Sequence, residues 1–312
     1  MDAAIRLLRA RAPLFMLGGA ALGLSLPPLA EAVRPAVVSI SIAMVVVSML
    51  RVEPARFFHA LRNPGYLAAA GLFVLVALPV ATAATVTALG APAWLATGLT
   101  YASAAPPLSS AAAFAILVRI DPALVTAVSL PATLAAPATV WLVTAALPGL
   151  GEGVALGSLV LRLLAIICFA IVVALGVRRL AGGARVAGWA GPLDALTVIL
   201  VVAIGVGVMH DIGLALRADP LQWLLILGAA ALVSWASLGL AVAAFWPLGR
   251  DEALTAGLCA AVKNMAVMVA AVLGTVEPRI SLVVITAQLP IFFAPLIMRP
   301  LFRRLRGGEA GP

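Results

Sequence analysis

Apolar residues run along this chain in long, unbroken stretches, and most charged positions are gathered between them. Ten stretches of about 17 to 25 residues, each bounded by charge, proline or glycine, have the length that carries an α-helix across a bilayer. They cover residues 12–29, 33–50, 65–89, 93–118, 122–147, 153–177, 190–209, 220–246, 252–275 and 279–301. The runs are continuous rather than alternating, so helices are expected, since lipid requires every backbone group to be satisfied within its own segment. The spans leave no room for a soluble domain.

Composition agrees: 64% of residues are hydrophobic and 10% charged, and the mean hydropathy is +1.18, far from a soluble domain. The net charge of +8 could suggest nucleic acid, but the arginines fall between spans rather than on one basic face. With the N-terminus in the cytoplasm, fifteen arginines lie in inside segments, against Arg34, Arg217 and Arg279 outside. By the positive-inside rule this predicts a multi-pass membrane protein with both termini cytoplasmic. Cys168 and Cys259 both lie inside spans, so neither a disulfide nor a metal cluster is expected.

The first span also fits a signal peptide, with a basic start, an apolar middle and small residues at its end. Cleavage would leave nine spans in the same orientation. The uncleaved reading is preferred because ten spans divide into five and five, residues 1–150 and 151–312. An odd number of spans per half reverses orientation between the halves, which is the arithmetic of an inverted repeat in secondary transporters.

Such a repeat places its binding site where matching helices break. In the fourth span Pro106 and Pro107 interrupt the helix and are followed by Ser109 and Ser110. Two consecutive prolines remove two backbone donors and clash with the preceding turn. A simple packing kink is the alternative. The ninth span contains "AAVKNMAV", where Lys263, the only lysine of the chain, and Asn264 alone mark a break. Lys263 follows Pro107 by 156 residues, half the chain length. An ammonium at the bilayer centre costs at least about 2.5 to 3.5 kcal/mol. With about eleven residues on either side, some 16 Å of helix, it cannot snorkel to an interface. A functional role is the expectation.

These residues carry a resemblance. The stretch "PPLSSAAAFAILVRIDPALVTAVSLPATLAAP", residues 106–137, resembles the bile acid:sodium symporter family, whose members show a Pro-Gly-Gly break, a small polar run, an Arg-x-Asp loop and a Thr-Leu-x-Ala-Pro ending. Arg119, Asp121, Ala123, Leu124, Thr133, Leu134, Ala136 and Pro137 fall in register. The family's ninth-helix motif, a glutamate followed four residues later by Gln-Asn-Ser, is similar to "CAAVKNMA", with Asn264 retained. The resemblance implies an all-α fold of ten transmembrane helices as two inverted five-helix repeats. Helices 1, 2, 6 and 7 would form a panel and helices 3–5 and 8–10 a core, with broken helices 4 and 9 crossing at the midplane. It also implies uptake of organic anions, mostly driven by sodium, from a site between panel and core, and, with the small chain rich in alanine and arginine, a bacterial inner (plasma) membrane.

The departures from the family pattern point away from sodium. The family's Ser-Asn pair aligns with Ala111 and Ala112, its glutamate with Cys259 and its glutamine with Lys263. Sodium takes hard oxygen ligands, which methyl groups, a thiol and an ammonium do not offer. Lys263 is then a tethered cation replacing the bound one, attracting an anionic substrate and able to exchange a proton, which makes proton coupling possible. At an effective dielectric of about 20, an ion pair at 4 Å gains about 4 kcal/mol, comparable with the insertion cost. A purely structural ammonium remains open.

Other polar positions in the spans are Ser129 and Thr133, with Thr126, at helical spacing; Gln288 beside Pro290; and Arg162, split between cavity lining and structural pairing. Serine and threonine also bond their own helix. Enzyme chemistry is not expected: the two histidines, His59 and His210, are placed in loops, and no phosphate-binding loop or metalloprotease motif occurs. No cofactor and no nucleic-acid partner are implied; the partners expected are a small organic anion and the lipid bilayer. An anion channel and a membrane sensor that no longer transports are the alternatives.

Overall fold

The computed structural model describes residues 12–51, 63–108, 120–147 and 154–305, together with 115, 118, 149 and 150. All regular structure among the described residues is helical. Helices α1 (Ala12–Ser25), α2 (Pro27–Val33) and α3 (Val37–Leu50) open the chain, followed by α4 (Pro64–Leu72), a π-helical turn (Phe73–Ala77), α5 (Leu78–Ala88) and α6 (Ala93–Ala104). Next come α7 (Pro122–Ala146), α8 (Leu156–Ala181), the short α9 (Gly183–Ala187), α10 (Ala190–Ala218) and α11 (Pro220–Phe245). The chain ends with α12 (Arg250–Ala261), α13 (Met265–Val272), α14 (Pro278–Thr286), α15 (Leu289–Phe292) and α16 (Ala294–Leu305).

Among the described residues six helical segments are long and apolar enough to cross a membrane: Pro27–Leu50, Pro64–Ala88, Pro122–Ala146, Leu156–Ala181, Ala190–Ala218 and Pro220–Leu248. A seventh is added if Pro278–Phe292 and Ile297–Leu305, bent by 57°, are taken as one span. The chain is therefore a multi-pass helical membrane protein. Within the described residues the other apolar runs of the sequence appear as shorter pieces. At about 1.5 Å per residue, the 12 residues of α6 rise only about 18 Å.

Several boundaries differ from the sequence expectation, each for a local reason. The first helix ends at Ser25 rather than 29, and the second starts at Pro27 rather than 33. Leu26 precedes a proline and takes φ −122°, ψ 75°, outside the α region, as expected before proline. Pro27 then suits the first helical position, where no N–H is needed. Helix α10 runs to Ala218 rather than 209 and carries His210 and Asp211 within it, correcting the placement of His210 in a loop. Asp211 pairs with Arg34 at 3.3 Å, so its charge does not force the helix to end.

Helix α1 packs on α10; α3 packs on α8 and α10; and α13 packs on α3 and α8. Their ends are tied by ions: Arg51 pairs with Asp194 of α10, and Arg178 of α8 donates to the Leu50 carbonyl at 2.6 Å. On the other side, α5 packs on α6 and α11 on α12, while α6 packs on α14 and α7 on α12. The α6–α14 contact depends on Gly98, where an added Cβ would meet Val283 Cβ at 2.6 Å. Gly98→Leu is expected to force these helices apart, destabilising the protein by about 1–3 kcal/mol or more, seen as a lower thermal unfolding midpoint in detergent.

Candidate functional site

Two of the breaks between helices meet. Helix α6 stops at Ala104 because Ala105 precedes Pro106 and adopts an extended ψ of 138°. Helix α12 stops at Ala261 and α13 begins at Met265, with Val262 and Asn264 at ψ 86° and 76°. Pro107 and Lys263 form an antiparallel bridge. Leu108 N–H donates to the Val262 carbonyl at 2.9 Å, and Asn264 N–H donates to the Pro106 carbonyl at 2.7 Å. These bonds explain how "AAVKNMAV" breaks without glycine or proline: the second strand takes its partners from the first.

Lys263 lies at this crossing and is only 6% exposed. Its Nζ donates to the Val74 carbonyl at 3.2 Å. The sequence of the π-helical turn makes that carbonyl available. Leu78 N–H donates to Phe73, and Pro79, five residues beyond Val74, has no N–H to give. Val74 is thus left without a donor from its own helix, and Lys263 satisfies it. Among the described residues no carboxylate pairs with Lys263. One carbonyl uses one of the three ammonium hydrogens.

A cavity of about 80 Å³ opens beside the ammonium, smaller than the about 300–1,000 Å³ that drug-sized ligands occupy. Met16 of α1, Met44 of α3 and Thr197 of α10 line one wall; Lys263, Gln288 and Phe292 line the facing one. Gln288 is buried and its Nε2 has no partner among the described residues. Thr197 donates to the Leu193 carbonyl at 2.8 Å, so it offers the cavity a lone pair but no proton. The free donors are therefore Lys263 and Gln288, the pair of groups a carboxylate accepts from. Met265 and Ala266, the first residues of α13, also border the cavity, where the helix N-terminus adds partial positive charge.

The structure sorts the sequence's candidates. It brings Lys263 and Gln288 to one cavity and joins Pro106, Pro107, Lys263 and Asn264 at the crossing. Both side-chain atoms of Asn264 are buried there without a partner among the described residues. Ser129 and Thr133 do not reach the cavity: Ser129 donates to the Thr126 carbonyl at 3.3 Å and Thr133 to the Ser129 carbonyl at 2.8 Å. Their helical spacing reflects self-bonding within α7. Cys259 is fully buried in α12. Arg162 donates to the Leu273 carbonyl at 2.7 Å, capping the last turn of α13 as a structural pair. Ser109, Ser110, Ala111 and Ala112 lie outside the described residues. Sequence reasoning missed Thr197 and the methionines, ordinary residues of apolar helices. It also missed Val74, for which Pro79 was the available signal.

Fold and site together define a multi-pass helical membrane protein with a cationic cavity where the ends of α6 and α12 meet. The chain matches no known protein-family profile and no curated protein.

Proposed function

We propose that the protein is a secondary active transporter of small organic anions, carboxylates with an apolar body, built like the bile acid:sodium symporters but independent of sodium. The observation that carries this is the buried Lys263 ammonium on a cavity wall with no carboxylate partner among the described residues. A desolvated cation needs a counter-charge, and a substrate anion supplies it. Methionine, valine, isoleucine and phenylalanine around the cavity suit the hydrocarbon part of such a ligand. In this reading Lys263 stands where a family member holds its cation, and its exchangeable proton is the coupling ion.

The packing supports a ten-helix inverted repeat. The α5–α6 contact is mirrored by α11–α12, and α6–α14 by α7–α12, pairs that exchange under a two-fold relating residues 1–150 to 151–312. Helices α1–α3, α8 and α10 then form the panel and the rest the core, with the cavity between them. With the arginine-rich ends in the cytoplasm of a bacterial cell and the protein in its inner membrane, Met16 and Thr197 lie within about two turns of cytoplasmic helix ends. The cavity thus belongs to an inward-facing state.

Proteoliposomes loaded and assayed in choline test the reading, with labelled cholate and pyruvate as probes. A carrier gives saturable uptake and counterflow; unsaturable current marks a channel, and binding without either marks a sensor. Gln288→Leu is expected to weaken binding of the transported anion about tenfold, the loss of one hydrogen bond to a charged group, measured by titrated thermal shift.

A further inference from the structure

A second, smaller cavity of about 20 Å³, room for about one water, also borders Lys263, and none of the chemistry above uses it. It is lined by α6, α11, α12, α13 and α15, whereas the first cavity reaches α1, α3 and α10; Lys263, Met265 and Ile291 border both. Ser103, Ser234 and Ser237 bring hydroxyls to it. Ser103 is buried and accepts from Thr82 at 3.3 Å, so its own proton is free to donate. Ser234 donates to the Ala230 carbonyl at 2.9 Å and keeps its lone pairs. Ser237 is buried with no partner among the described residues.

The two cavities share the α13 N-terminus at Met265 but otherwise differ in electrostatic setting. Ala102 and Ser103 belong to the last turn of α6 and Ala260 to the last turn of α12, and helix C-termini carry partial negative charge. Pro106 and Pro107 also remove the N–H groups that the Ala102 and Ser103 carbonyls would have received. Negative helix ends, freed carbonyls and hydroxyls of both polarities suit water and a proton, and disfavour an anion. Among the described residues, Cys259 on α12 is the titratable side chain within electrostatic reach of the ammonium. Among the residues lining the cavity, α6, α11 and α15 present hydroxyl and apolar groups, and α13 presents Met265.

We propose that this second cavity is a hydrated proton site serving Lys263, separate from the anion cavity. One Nζ–H proton passes to a water held by Ser103 and Ser237, leaving a neutral amine and a hydronium whose proton leaves through the serine-lined pocket. The reverse step returns a proton to the Nζ lone pair. Proton and anion thus reach the same side chain from different faces. A carrier needs that separation if the proton is to move while an anion occupies the other cavity.

The inference deepens the proposed carrier function, but its test requires no anion. Because Lys263 is the only lysine, labelling the full chain with ¹⁵N,¹³C-lysine gives a single side-chain NMR signal in lipid nanodiscs. The exchange of its Nζ protons with water is read directly as bulk pH is varied. The expected result is exchange that slows about tenfold in Ser103→Val/Ser237→Val, the effect of losing one good hydrogen bond to the transferring water. Exchange persists when the first cavity is filled by Val201→Phe, a change at the wall that α10 contributes. Should the double variant fail to fold, Ser237→Ala alone carries the comparison. Unchanged exchange in the serine variants, collapse of exchange in Val201→Phe, or a wild-type signal that never responds to pH would each overturn the proposal. Anion uptake failing while these exchange results hold would count against the carrier reading alone.

Discussion

Lys263→Met is expected to abolish anion uptake and anion-dependent stabilisation while leaving the protein folded. The interaction removed is a single charge contact in a desolvated cavity, worth about 4 kcal/mol at close range and an effective dielectric of about 20, so binding weakens at least about a hundredfold. Stability moves the other way or not at all. The variant leaves the Val74 carbonyl without its donor at 3.2 Å, a cost of about 1–3 kcal/mol. It also removes the penalty of burying an ammonium, and replacing a buried charge with an apolar side chain of similar shape is often neutral or stabilising. A thermal midpoint equal to or above wild type, together with a lost response to anions, distinguishes a binding role from a purely structural one. A large fall in midpoint with anion binding intact would identify Lys263 as a fold-holding cation.

Pro106→Ala/Pro107→Ala is the second large effect expected. With N–H groups restored, α6 can continue past Ala104, and Ala105 is no longer held at ψ 138°. The crossing then loses the bonds from Leu108 to Val262 and from Asn264 to Pro106, a destabilisation of about 2 kcal/mol for the pair. It also loses the register that sets Lys263 against Val74. Denaturation in detergent, followed by circular dichroism, is expected to show a lower midpoint with helix content equal to or above wild type. Anion stabilisation should vanish. A double variant that keeps both midpoint and anion response would show that the prolines merely kink the helix.

The sequence made the helices legible because lipid admits few other ways to satisfy a backbone, and the first break because two prolines enforce it locally. The second break was marked by Lys263 and Asn264 but had no local cause. Its partners, Pro106 and Leu108, lie more than 150 residues away. Ser129 and Thr133 misled for a related reason: helical spacing of hydroxyls describes a polar stripe equally well whether it faces a cavity or bonds its own carbonyls, as these do. Helix α10 outran its apolar window because Asp211 is paired with Arg34, a compensation visible only once the two are side by side. The cavity wall itself was silent in the sequence. Met16, Met44 and Thr197 look like any residues of an apolar helix until the fold places them opposite Lys263.

The central claim is an anion site centred on Lys263 that works without sodium. Thermal unfolding of the purified full-length protein against a panel of organic carboxylates, in choline buffer and in sodium buffer of equal ionic strength, tests it most directly. The account predicts that at least one monocarboxylate with an apolar body raises the midpoint equally in both buffers. Stabilisation that appears only with sodium would contradict it, and would require sodium ligands among residues other than Ala111, Ala112, Cys259 and Lys263.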